Sequence, residues 1–118
     1  VMLFLRPMRE GDHFPALPDK PEGLYYLALA GDTLLGWCHY YRKDQALLIM
    51  EISDGGDTDL CDGLVRAVLA QGDESGLQAA CFAPGCWPQL GALGLPLDEM
   101  GRLSPIQDFL YNCKSCKI

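Results

Sequence analysis

Basic residues are scarce in this chain, and their scarcity excludes whole classes of function. Nine Lys plus Arg stand against 16 Asp plus Glu in 118 residues, a formal net charge of -7. A surface that grips nucleic acid needs clustered cations, so DNA and RNA are not expected partners. Anionic membranes are disfavoured on the same ground, whereas a cationic or neutral small partner is favoured. Histidine is almost absent, with only His13 and His39, which leaves little room for imidazole chemistry. No segment reaches the ~20 consecutive apolar residues of a membrane span. The first residues, Val1-Met2-Leu3-Phe4-Leu5-Arg6-Pro7, lack the basic stretch and small-residue cleavage site of a signal peptide. No repeat, linker or low-complexity segment is visible, so residues 1–118 are expected to form a single domain.

What is present is enough for a core. Hydrophobic residues make up 49% and charged residues 21%, a balance that disfavours disorder. The six cysteines are Cys38, Cys61, Cys81, Cys86, Cys113 and Cys116. Secreted disulfide scaffolds are short of core and rich in loops, whereas this chain shows strong strand and helix patterns. Reduced thiols in a cytoplasm are the expectation.

Residues 2–6 read as a short strand. Pro15, Pro18 and Pro21 limit residues 9–23 to a helical turn or two. Residues 24–30 and 33–42 form a hairpin about Gly31-Asp32. Residues 46–52 are a third, very apolar strand, suited to a central place buried on both faces. A helix is predicted over 58–71, with Leu60, Leu64 and Val68 at four-residue spacing and Val65 and Leu69 beside them. Asp57, Thr58 or Asp59 can cap it. Residues 77–83 read as a strand of small apolar residues, ended by Pro84-Gly85-Cys86-Trp87-Pro88. A short helix over 89–93 and a last strand over 106–112 complete the order. Three hairpin-linked strands before a strand–helix–strand crossover give a mixed sheet with helices packed on it.

Several residues carry possible chemistry. The loop Ser53-Asp54-Gly55-Gly56-Asp57-Thr58-Asp59 joins a strand to a helix, a place where backbone N–H groups often meet a phosphate. Its carboxylates cap a helix well and repel a phosphate. Gly55 and Gly56 suit an anion nest, and equally a simple chain reversal. His39 alternates with Trp37 and Tyr41 on one strand face, where a half-exposed histidine is the ordinary case. Tyr25, Tyr26, Tyr40 and Tyr41 suit cross-strand packing, or a pocket for a small cationic or apolar ligand. Cys113-Lys114-Ser115-Cys116 offers half a zinc site or a redox pair, and two incidental thiols are the simpler reading. Cys61 lies near a helix N-terminus, but burial as a small apolar residue is the simpler reading.

The element order and particular residues resemble the GNAT superfamily of acyl-CoA-dependent N-acetyltransferases. Leu5-Arg6-Pro7-Met8-Arg9-Glu10-Gly11-Asp12 is similar to its opening strand and Arg-to-Asp turn. Leu34-Leu35-Gly36-Trp37 is similar to its third strand. The strand at 48–52 and the capped helix after it match its fourth strand and third helix, and Leu93-Gly94-Leu95 resembles the end of its fourth helix. The resemblance covers nearly the whole chain. It implies an α/β fold with a central mixed sheet of about six strands, one main helix and short flanking helices.

The resemblance also implies transfer of an acyl group from acetyl-CoA to a small amine. Glu51 would be the general base; the residue-level alternative is a strand-end carboxylate facing solvent or capping a turn. The cofactor would lie against Ile52, Gly55, Gly56, Asp57, Thr58, Asp59, Leu60 and Cys61. The chain departs from the family pattern at that loop. Asp59 and Cys61, or Leu60 and Asp62 in the neighbouring register, stand where the family has its motif glycines, and the basic or amide residue is missing. Leu90 replaces the tyrosine that serves the family as acid. The alternatives are a catalytically inactive GNAT-like binding or dimerisation module, with a homodimer among its forms, and a small metal or redox protein built on Cys113 and Cys116.

Overall fold

The computed structural model describes residues 2–18 and 21–111. Among these residues, six strands form one sheet whose spatial order equals their order in the chain. They are β1 (Leu3–Pro7), β2 (Leu24–Ala30), β3 (Thr33–Lys43), β4 (Ala46–Ser53), β5 (Ala79–Phe82) and β6 (Arg102–Leu103). All neighbours are antiparallel except β4 and β5, which α1 (Thr58–Glu74) connects as a parallel crossover. Two shorter helices follow, α2 (Trp87–Leu93) and α3 (Ile106–Tyr111).

The β2–β3 hairpin turns at Gly31, whose φ of +61° is the left-handed value that glycine adopts without strain. Gly36 of β3 answers a different need. A Cβ there would collide with the Ser53 carbonyl of β4, so the close approach of the two backbones requires glycine. The helix α1 is amphipathic, as its spacing predicts. Leu60, Leu64, Val65, Val68 and Leu69 are all buried against one sheet face. At about 2 kcal/mol per buried aliphatic side chain, this face contributes on the order of 10 kcal/mol before entropy is counted. Gly72 faces Leu47 at a spacing that leaves no room for a methyl group.

Three expectations are corrected. Residues 106–112 were expected to form a strand; Ile106–Tyr111 is helix α3, the last strand is the two-residue β6, and Asn112 lies outside the described residues. Ile106, Phe109 and Leu110 have helical spacing, and that face packs on the main core. The short helix expected over 89–93 begins two residues earlier, at Trp87. Pro84–Cys86 is a 3-10 turn that runs directly into α2, with Pro88 in its first turn where a missing N–H costs nothing. Finally, β4 is central but not buried on both faces. Leu47, Ile49 and Ile52 are buried beneath α1, whereas Met50 on the other side is 45% exposed.

That second face is only partly covered. Residues 8–17 make no helix and fold back over β2, where Leu17 buries with Leu27 and Leu29 in a smaller cluster. Arg6 and Asp12 fix the start of this segment through a bidentate ion pair at 2.8 and 3.0 Å.

Candidate functional site

The loop between β4 and α1 is organised by its own carboxylates. Asp54 Oδ1 accepts the Gly56 N–H at 2.8 Å, and the Asp54 carbonyl accepts the Asp57 N–H at 3.0 Å. Asp57 is the helix N-cap. Its Oδ1 accepts the N–H groups of Asp59 and Leu60 at 3.0 and 3.1 Å, and its carbonyl accepts that of Cys61. Gly55 and Gly56 hold φ values of +62° and +82°, which lets the turn close on itself. The other oxygen of Asp54 accepts Gln89 Nε2 from α2 at 2.9 Å, and the same amide donates to the Ile52 carbonyl, also at 2.9 Å.

Each residue expected at a cofactor site therefore has a defined place. Gly55, Gly56 and the N-cap Asp57 lie on one exposed turn, and Thr58 and Asp59 are the exposed first residues of α1. Ile52, Leu60 and Cys61 point their side chains into the core. Burial, and secondarily Asp54, pushes the Cys61 thiol up to about 12, which removes it as a nucleophile near neutral pH. A diphosphate does not fit this loop. The N–H groups of Gly56, Asp57, Asp59, Leu60 and Cys61 already have acceptors within the chain, and the acceptors are largely carboxylates that an incoming anion would have to displace. Leu90, in the tyrosine position of the resemblance, is 1% exposed and belongs to the core beneath α1.

Glu51 occupies a different environment. The β3–β4 register shifts between His39 and Tyr40, so Met50 is the extra residue of a β-bulge and Glu51 pairs with His39. Trp37 Nε1 donates to Glu51 Oε1 at 3.0 Å. On the same face, Tyr25 stacks on His39 at 4.5 Å between ring centroids, and Tyr41 tilts against His39 at 5.1 Å. His39 Nε2 also lies 2.7 Å from the Glu22 carbonyl. Burial, then the Glu51 charge, raises the Tyr25 hydroxyl above its ordinary pKa. The arrangement is a carboxylate beside an aromatic row, open to solvent, which can receive a cation. Tyr26 and Tyr40 belong instead to the α1 side, where Tyr40 donates to Gln71 Oε1 at 3.0 Å.

Two side chains of this region escape sequence reasoning: Gln89, which stitches the loop to α2, and Trp37 as the partner of Glu51. The alternation of Trp37, His39 and Tyr41 put Trp37 on the correct face, but its bond to Glu51 depends on the bulge. Among the described residues no cluster of three or more His, Cys, Asp or Glu could hold a metal. Cys113 and Cys116 lie outside them.

No protein-family model matches the chain, and no curated protein matches it significantly. Solved structures do. A GNAT family acetyltransferase from Elizabethkingia anophelis, solved with acetyl-CoA bound, aligns with a TM-score of 0.62 at 16% identity, over 78% of this chain and 72% of its own. An IAA acetyltransferase from Bacillus cereus aligns with a TM-score of 0.60 at 16% identity, over 79% and 74%. A GNAT family structure from Desulfovibrio desulfuricans aligns with a TM-score of 0.51 at 12% identity, over 60% and 52%. With its six-stranded mixed sheet and parallel β4–α1–β5 crossover, the chain has the fold of the GNAT family acetyltransferases.

Proposed function

We propose that this chain is a non-catalytic GNAT-fold binding module that does not use acyl-CoA. One observation carries the reading: Asp54 and Asp57 occupy, with their own oxygens, the backbone N–H groups that a diphosphate would need. Three others support it. Gln89 ties the loop to α2, Leu90 is a buried aliphatic residue in the acid position, and no helix stands over residues 8–18 to wall an acceptor site.

Titration of acetyl-CoA against the purified protein, followed by thermal melting, tests this. A genuine site filled at a hundred times its dissociation constant stabilises by about 2.7 kcal/mol, which is a shift of several degrees for a domain of this size. We expect no shift at about millimolar cofactor, far above the micromolar affinities of ordinary cofactor sites. A saturable shift overturns the reading.

A second reading is acyl transfer from acyl-CoA to a small amine with Glu51 as general base. It is favoured by the exposed carboxylate that Trp37 holds at the β4 bulge. The same titration decides between the two.

A further inference from the structure

The sheet face turned away from α1 carries apolar groups that nothing among the described residues covers. Residues 8–17 shield its β2 end, where Leu17, Leu27 and Leu29 are buried. Beyond them Met50 stands 45% exposed beside the half-buried Leu48. Between the starts of β4 and β5 lies an open depression of about 480 Å³, with Ala46, Leu48 and Cys81 in its floor and Lys43 and Arg102 at its rim. Neither Lys43 nor Arg102 makes an ion pair among the described residues. At the far end of the same face sits Glu51, one oxygen held by Trp37.

We propose that this face is the contact surface for a second copy of the chain, packed sheet against sheet about a two-fold axis. The β3–β4 register fixes the spacing. Lys43 pairs with Ala46 at one end and His39 with Glu51 at the other, so the cationic and anionic ends are roughly 14 Å apart at ~3.4 Å per residue. A two-fold axis between them runs β4 against its copy in the opposite sense. It sets Glu51 of each copy over Lys43 of the other, and the same operation carries Met50 of each copy to the depression beside Ala46 and Leu48. A two-fold contact is self-complementary, and this surface supplies both halves of a charge pair and both halves of a knob-and-hole contact.

Electrostatics favour this surface over the α1 N-terminus. Two copies at -7 each repel in general. On this face Lys43 and Arg102 offset Glu51 and Asp44, whereas the α1 N-terminus presents Asp54, Asp57, Asp59 and Asp62 with, among the described residues, no nearby cation except Arg66, which Asp62 holds. Apolar contact between aligned sheets at ~10 Å separation would bury Met50, Leu48 and Tyr41 together. The proposal deepens the binding-module reading and rests on it for the kind of partner.

Sedimentation velocity of the full chain at low and moderate salt tests it. A dimer is expected, weakened by salt. Glu51→Lys and Lys43→Glu should each loosen it about tenfold, because each reversal turns two attractive contacts per dimer into two repulsive ones. The double variant should restore the parent affinity. Met50→Asp should abolish the dimer and Met50→Leu should keep it. Melting of each variant checks its folding, and all three positions are exposed. A monomer at every concentration, as when the chain's own terminal residues cover the face, overturns the proposal. So does a dimer indifferent to both the charge reversals and Met50→Asp. A dimer that also melts higher with acetyl-CoA would remove the non-catalytic reading and leave the interface standing.

Discussion

Replacing Asp57 by alanine probes the loop at its centre. The change deletes the acceptor of two helix N–H groups, those of Asp59 and Leu60. It also removes a negative charge from the positive end of the α1 dipole. Loss of an N-cap costs about 1 kcal/mol, within a range of ~0.5–2, and the dipole contributes ~0.3–1 kcal/mol more. The sum, about 1–2 kcal/mol, should lower the melting temperature by roughly 4–10 °C. Asp57→Ser keeps a capping oxygen and loses only the charge, so its cost should stay below about 1 kcal/mol. Urea unfolding with an unchanged m-value gives the measurement. An alanine variant as stable as the parent, or a serine variant as damaged as the alanine one, would refute the capping role. The same loop offers a test by sign. Each carboxylate ~5 Å from a phosphate charge costs ~1–3 kcal/mol between aqueous and interfacial dielectric. Asp54→Ser with Asp57→Ser should therefore improve acetyl-CoA binding over the parent; a double variant that still shows no melting shift at about millimolar acetyl-CoA would refute the like-charge reasoning.

Two further outcomes follow from the structure. The Arg6 hydrogen bonds, then the Arg9 N–H, hold the Asp12 carboxyl down to about 2. Because the folded value lies below the unfolded one, the pair stabilises fully above about pH 4 and loses its effect as pH falls toward 2. Near the surface this amounts to on the order of 1 kcal/mol once solvent screening is allowed for. Asp12→Asn should remove it at neutral pH and flatten the acid limb of a stability–pH curve. Leu90→Tyr should destabilise by about 1–3 kcal/mol in a denaturant titration, through overpacking of a core position that is 1% exposed. It should confer no acyl transfer in an acetyl-CoA turnover assay, since its side chain points into the core.

The parts of the fold legible in the sequence were those with a sustained period. The β2–β3 hairpin announced itself through Gly31-Asp32 and the alternation of Trp37, His39 and Tyr41, and α1 through its repeated leucines and valines. At two residues, β6 is too short to show any period. The segment after it was misread because Ile106, Phe109 and Leu110 also count as strand formers, although Pro105 immediately before them is a helix-start signal. At the candidate site, capping by Asp57 was readable because it is local. Gln89 was not, since it meets Ile52 across 37 positions of chain. The exposed side of β4 was hidden for a similar reason. An apolar run does not reveal that the segment over the sheet shields only its β2 end.

The order of the strands has a consequence for how the molecule is made. Each strand lies beside its immediate predecessor in the chain. Every pairing therefore joins strands that are consecutive in the chain, and only the last two, β4 with β5 across α1 and β5 with β6 across α2, span an intervening helix. During synthesis β1 to β4 can zip together in sequence before α1 has emerged, leaving the apolar side of β4 briefly bare. The arrival of α1 is then the event that shields it, so the nascent chain is most vulnerable to aggregation between the completion of β4 and the docking of that one helix.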